Sequence, residues 1–126
     1  MEIRSAKELI VYQKAYDLAM RVFEASKKFP LEERYALISQ IRRSSRSVCM
    51  NLQEAWAKRR YEAAFVSKLT DCDAENSETV ASLDFARECS YITDRQHEEL
   101  IGMTCEVGRM LGAMIQCPEK FCSRDP

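Results

Sequence analysis

The sequence predicts an all-α protein, an up-down-up-down antiparallel four-helix bundle, and three observations predict it. Only three Gly and three Pro occur in 126 residues, so the chain has few places to reverse, which favours a few long helices over many short strands. Apolar residues recur at steps of three and four through four long stretches. The links between those stretches are short, which makes consecutive helices antiparallel neighbours. A composition of 46% hydrophobic and 31% charged residues fits one soluble domain large enough for a single core.

The first helix is expected over about residues 5–29. Ser5-Ala6-Lys7-Glu8 has the Ser-x-x-Glu form of a capping box. Two apolar rows follow side by side: Leu9, Tyr12, Tyr16, Ala19, Phe23 and Val11, Ala15, Leu18, Val22, Ala25, Phe29. That face is wider than one partner helix needs. Phe29-Pro30 ends the helix, and Pro30 suits the first turn of the next.

The second helix is expected over 32–58, with Leu37, Ile38, Ile41, Val48, Leu52 and Ala55 inward. The third is expected over 61–89, burying Phe65, Leu69, Cys72, Val80, Leu83 and Ala86. Asn76 falls on the same inward row, where a polar residue fixes register or oligomeric state. Thr93 and Gln96 form a second capping box and open a fourth helix over 94–116. Its inward row is Leu100, Thr104, Val107, Leu111 and Met114; a second row, Ile101, Cys105, Gly108, Gly112 and Ile115, is mostly small. Gly108 and Gly112, one turn apart, predict close approach of a neighbouring backbone. Pro118 stops the helix, and 118–126 is expected to be a flexible tail.

No apolar run reaches the ~18 residues a membrane span needs, and no signal peptide opens the sequence, so the expected location is the cytoplasm. Six scattered cysteines without a C-x-x-C pair read as small buried hydrophobes in a reducing compartment. The net charge of −1 conceals an asymmetry. Residues 1–60 carry 13 Lys/Arg against 7 Asp/Glu, and residues 61–126 carry 6 against 13. Either the two halves neutralise each other or the basic half keeps a surface patch.

Catalytic chemistry is not expected. The single histidine, His97, cannot supply the paired Glu-x-x-His motifs of a di-iron bundle, and it has no zinc-ligand spacing with the cysteines. Asp71, Glu75 and Glu78 share a face of the third helix and read as solvated carboxylates rather than a cation site. No phosphate loop or nucleophile motif is present, and no cofactor or metal is expected.

The most informative segment is 39–60, SQIRRSSRSVCMNLQEAWAKRR. Arg42, Arg46, Lys58, Arg59 and Arg60 are cations on neighbouring turns, suited to neutralising phosphates without reading bases. Trp56 and Tyr61 flank the cluster; Trp56 is placed either to stack on an unpaired base or to be buried. Arg43, Ser47, Asn51, Glu54 and Lys58 form a polar stripe in which Glu54 and Lys58 are spaced as an i,i+4 pair. Arg43, Asn51 and Glu54 are expected to be architectural, joining helices or subunits.

At these residues the chain resembles the small bacterial four-helix-bundle proteins encoded within 23S ribosomal RNA intervening sequences. The accessory variability determinant of diversity-generating retroelements shares that fold. The matching pieces are Val11-Tyr12-Gln13-Lys14-Ala15, Phe29-Pro30 with Glu32-Glu33-Arg34-Tyr35, Ser39-Gln40-Ile41-Arg42-Arg43, and Asn51-Leu52-Gln53-Glu54 with Arg59. Ala86-Arg87 with Tyr91, and Glu106-Val107-Gly108-Arg109-Met110-Leu111, complete an ordered set over roughly 8–115. The resemblance implies a homo-oligomer, a pentameric barrel of bundles, and a non-enzymatic role with RNA, DNA, a reverse transcriptase or a ribonucleoprotein. Ala55 and Ala57 stand where the family has Gly, and Cys49 where Pro is usual, which predicts a straighter, longer second helix. Asp71 and Asp73 place acid where the family is apolar or basic, so an acidic face could meet a basic one on the adjacent subunit.

Overall fold

Four helices, α1 (Ile10–Ser26), α2 (Leu37–Ala57), α3 (Glu62–Glu88) and α4 (Asp94–Gln116), carry the chain in a computed structural model that describes residues 2–122. Among the described residues there is no strand. Each helix packs on two others in the cyclic order α1–α2–α3–α4, and the backbones of the diagonal pairs stay apart. The contacts run in opposite directions at every seam. Arg43 meets Glu75 and Glu78 while Glu54 meets Lys68, and Asn76 meets Thr104 while Asp84 meets His97. The four-helix, all-α expectation is met.

Two apolar clusters fill the interior. One joins Val11 and Ala15 of α1 to Val48, Leu52 and Trp56 of α2, Phe65 and Leu69 of α3, and Val107 and Leu111 of α4. The other, at the opposite end, joins Leu18 and Val22 to Ile41, Leu83, Ala86, Ile92 and Leu100. Between them lies a layer of buried polar side chains. Ser44 and Thr79 share a hydrogen bond of 2.8 Å across α2–α3, and Asn76 Nδ2 donates to the Thr104 carbonyl at 2.9 Å across α3–α4. Burying a Leu or Val fully contributes about 1.5–3 kcal/mol, so each cluster is strongly favourable by itself.

The helix starts differ from expectation at two places. Ser5 makes no side-chain cap, and a 3₁₀ turn (Ala6–Glu8) precedes α1, which begins only at Ile10. Ala6 and Leu9 are both buried, and the extended backbone at Leu9 (ψ 133°) turns the chain so that both enter the core. The second helix begins at Leu37 rather than Glu32, after a 3₁₀ turn over Leu31–Glu33. Glu33 is diverted to two other tasks: it accepts from the Leu37 amide at 3.3 Å and from the Tyr91 hydroxyl at 2.8 Å. α2 is therefore shorter than expected at its start, although it continues through Cys49.

The other boundaries follow sequence chemistry. α1 tightens into i→i−3 bonds from Lys27 to Phe29 before Pro30, as the restricted residue before proline requires. Thr93 and Gln96 make the expected reciprocal cap on α4, at 3.0 and 2.8 Å. α3 closes in a Schellman motif, with Tyr91 N–H to Ala86 O at 2.8 Å and Ser90 N–H to Arg87 O at 2.9 Å. Ser90 takes the left-handed conformation this needs, at φ 62°. The expected flexible tail is corrected in part. Pro118–Lys120 is a 3₁₀ turn with Pro118 buried, and Phe121 stacks on Phe65 at 6.4 Å. Residues 123–126 of that expected tail lie outside the described residues.

Candidate nucleic-acid interface

The basic residues of α2 divide into two sites. Twelve residues separate Arg46 from Lys58, which is about 18 Å of helical rise; the expectation of one cluster on neighbouring turns is corrected accordingly. The first site lies in the groove between α1 and α2. Arg42 holds its guanidinium 4.6 Å from the Phe23 ring centroid, and its Nε donates to Ser26 Oγ at 2.7 Å. Arg46, one turn on, sits 5.5 Å from the same ring, and Lys27 Nζ approaches it at 4.8 Å. Lys27 is bonded to Glu24 at 3.2 Å.

The second site is the turn between α2 and α3. Lys58 caps the C-terminus of α2 and leaves the helix with φ −98° and ψ 7°. The expected Glu54–Lys58 pair therefore does not form; Glu54 instead meets Lys68 of α3 at 3.2 Å. That bond, together with the nearby charges of Glu54 and Asp71, outweighs desolvation and raises the Lys68 pKa. Arg59 lies over Trp56 with its guanidinium 4.2 Å from the ring centroid, and its Nη1 donates to the Trp56 carbonyl at 2.8 Å. Arg60 and Tyr61 are exposed. Trp56 itself is only 8% exposed, so of its two expected roles burial is the one the fold provides.

None of Arg42, Arg46, Lys58, Arg59 and Arg60 has a carboxylate at ion-pair distance among the described residues. Arg34, which sequence reasoning did not place in the site, follows the same pattern, with its guanidinium 5.9 Å from the Tyr35 ring. Phe23, Ser26 and Lys27 were likewise missed. The available signal was the outer row of α1, whose aromatic members are too exposed to be core: Tyr16 is 55% exposed and Phe23 half-buried.

The residues expected to be architectural do not share one role. Arg43 binds Glu75 and Glu78 of α3, at 2.8 and 3.1 Å, and so removes those two carboxylates from any cation site. Burial pushes the Glu75 carboxyl up, and hydrogen bonds with Glu78, Arg43 and Ser47 more than reverse this, leaving it below the usual carboxylate range. Asn51 joins neither helices nor helix ends: its Nδ2 donates to Ser47 O at 3.0 Å within α2. Asn76 does cross a seam, and Gly108 lies beside it. A Cβ on Gly108 would lie 3.5 Å from Asn76 Nδ2, whereas one on Gly112 would meet nothing within 4 Å. The first is ordinary contact with a side chain, so the expected close approach of a neighbouring backbone is found, within one chain, at neither glycine.

His97 packs between helix ends, 2.7 Å from Asp84 and 3.3 Å from Arg87 Nη1. No cluster of three metal-ligating side chains occurs among the described residues. All six cysteines are free. Burial pushes Cys49 up to about 11 and Cys72 up to about 12, which leaves them protonated and poorly nucleophilic at neutral pH. No helix among the described residues is long and apolar enough to cross a membrane.

Fold and surface together define an all-helical protein whose distinguishing feature is a set of arginines resting on aromatic rings. The chain matches the family model for 23S rRNA-intervening sequence proteins over residues 7–113 and belongs to that family. It is also similar to a crystal structure of a protein of unknown function from the S23 ribosomal protein family of Bacteroides thetaiotaomicron VPI-5482. The two share 28% identity and a TM-score of 0.77, over 85% of this chain and 96% of that one. None of the curated proteins compared matches the chain.

Proposed function

We propose that this chain is a non-enzymatic, cytoplasmic, homo-oligomeric protein that binds RNA or DNA through its basic surface, as an accessory to a ribonucleoprotein or reverse transcriptase. One observation carries the reading: Arg34, Arg42, Arg46 and Arg59 lie on aromatic rings without a carboxylate partner among the described residues. A guanidinium held by its face keeps most of its donors for an external anion, since Arg42 spends only Nε on Ser26 and Arg59 only Nη1 on the Trp56 carbonyl. The same chain elsewhere pairs Arg21, Arg43 and Arg95 with carboxylates, so the ring-borne arginines are a distinct set. The name of the family, tied to 23S rRNA, favours a nucleic acid as the anion.

An apolar groove of about 660 Å³ between the start of α1 and the end of α4, lined by Ile3, Ile10, Met110, Met114 and Phe121, supports self-association. The pentamer implied by the family resemblance would have five times the 14.6 kDa chain mass. A ring would repeat both basic sites and convert weak contacts into avidity.

The test is RNA binding measured against salt. Removing one phosphate-binding cation should lower the log–log salt slope by about 0.7 for a single strand or about 0.9 for a duplex. Arg42→Ala with Arg46→Ala, and Arg59→Ala with Arg60→Ala, should each reduce slope and affinity. Unchanged binding in the quadruple variant would sink the reading. A second reading rests on exposed carboxylates of α3, with Asp73 and Asp84 about three turns apart on one side of the helix. There the basic and acidic faces pair between subunits; the same variants would then change the assembled mass, with no nucleic-acid affinity at physiological salt.

A further inference from the structure

The turn after α2 has more structure than a patch of charge requires. Trp56 O accepts from both the Arg59 amide, at 3.3 Å, and Arg59 Nη1, at 2.8 Å, while the guanidinium lies 4.2 Å from the indole centroid. The backbone bond, the side-chain bond and the ring contact together hold this arginine against Trp56. The cation also sits at the C-terminus of α2, where the helix dipole favours it. Trp56 Nε1 is buried without an acceptor, a desolvation cost a phenylalanine would not carry. What the indole offers in return is the ring that binds a cation best.

We propose that Arg59, seated on Trp56, is a stacking platform for one unpaired nucleobase, so that single-stranded nucleic acid is preferred to duplex; this rests on the nucleic-acid reading above. A guanidinium has two faces. One is occupied by Trp56, and Arg59 is only half-buried, so the other is open to a base. Arginine planes and aromatic rings are the supports on which proteins splay single-stranded bases. Lys58 and Arg60 flank the platform, exposed and without carboxylate partners among the described residues, where they meet the phosphates on either side of a stacked base. Tyr61, 66% exposed, offers the next ring along the strand. Because Arg59 is already held, little side-chain freedom is given up on binding. A duplex hides its base faces and would engage the charges alone.

The test compares a short oligothymidylate with an abasic strand of the same length and charge, both dye-labelled and followed by polarisation. The wild type should bind the oligothymidylate about tenfold more tightly, the low end for one base stack. Arg59→Lys keeps the charge but loses the plane. It should remove most of that advantage while weakening abasic binding far less, with the far-ultraviolet circular dichroism spectrum showing the fold retained. The fluorescence of Trp56, the single tryptophan, should respond to oligothymidylate and not to the abasic strand. Equal affinity for the two strands, or an advantage that survives Arg59→Lys, overturns the platform while leaving the charge-based reading intact. Absence of binding to either strand at low salt overturns both.

Discussion

Replacing Ser90 by glycine should stabilise this protein, and the amount can be worked from the turn between α3 and α4. Ser90 has φ 62°, a conformation that costs an L-residue about 1–2 kcal/mol. Glycine removes that cost but gives back about 0.5–1 kcal/mol through its greater freedom in the unfolded chain. The net gain is about 0.5–1 kcal/mol. With an unfolding entropy of about 2.1 cal/mol/K per residue over 126 residues, the melting temperature should rise by about 2–4 °C. Ser90→Val, whose branched side chain tolerates this region poorly, should lower it. The assay is thermal unfolding by circular dichroism at matched protein concentration, because assembly would otherwise shift the midpoint. Tyr91 gives a local readout, since the turn aims it at Phe29, with ring centroids 5.4 Å apart, and at Glu33. If Ser90→Gly melts at or below wild type while Ser90→Val is neutral, the left-handed closure of α3 is wrong.

Three further outcomes are expected. Arg43→Ala should cost about 1 kcal/mol, discounted because the arginine is half exposed, and the loss should shrink in high salt. The depressed Glu75 carboxyl contributes stability above its unfolded pKa of about 4.3, and that contribution is lost as pH falls through the lower folded value. Glu75→Gln should therefore differ from wild type at neutral pH and converge with it in acid, as urea midpoints would show. Gly112→Ala, in a position with nothing within 4 Å, should stabilise the chain by about 1 kcal/mol in a urea melt; a fall in stability would mean that a second copy packs there.

Long-range periodicity was legible in the sequence, and local diversions were not. The inward row of α4 is buried at all five expected positions, Leu100, Thr104, Val107, Leu111 and Met114, because no competing task falls on that helix. The capping motif at Thr93 formed while the same motif at Ser5 did not. The difference is tertiary, since Ala6 and Leu9 had to reach the core. Glu33 is the same case, drawn to Tyr91, a residue 58 positions away. At the candidate site, neither the division of the cations nor the placement of Arg34 and Lys27 on aromatic rings was readable. Which arginine meets a carboxylate and which meets a ring depends on the neighbouring helix. Arg42 and Arg43 are adjacent in sequence and face α1 and α3 respectively.

The polar layer through the middle of the bundle has a mechanical consequence. It interrupts the apolar packing that would otherwise couple the two ends, so each end holds together through its own cluster. The end carrying Trp56 and the second basic site can loosen without dissolving the end closed by Tyr91, because what they share is hydrogen bonds rather than packing. Amide exchange at 48–56 and 65–72 should therefore respond to a ligand at the α2–α3 turn as one unit, while 83–86 and 100 keep their own rates.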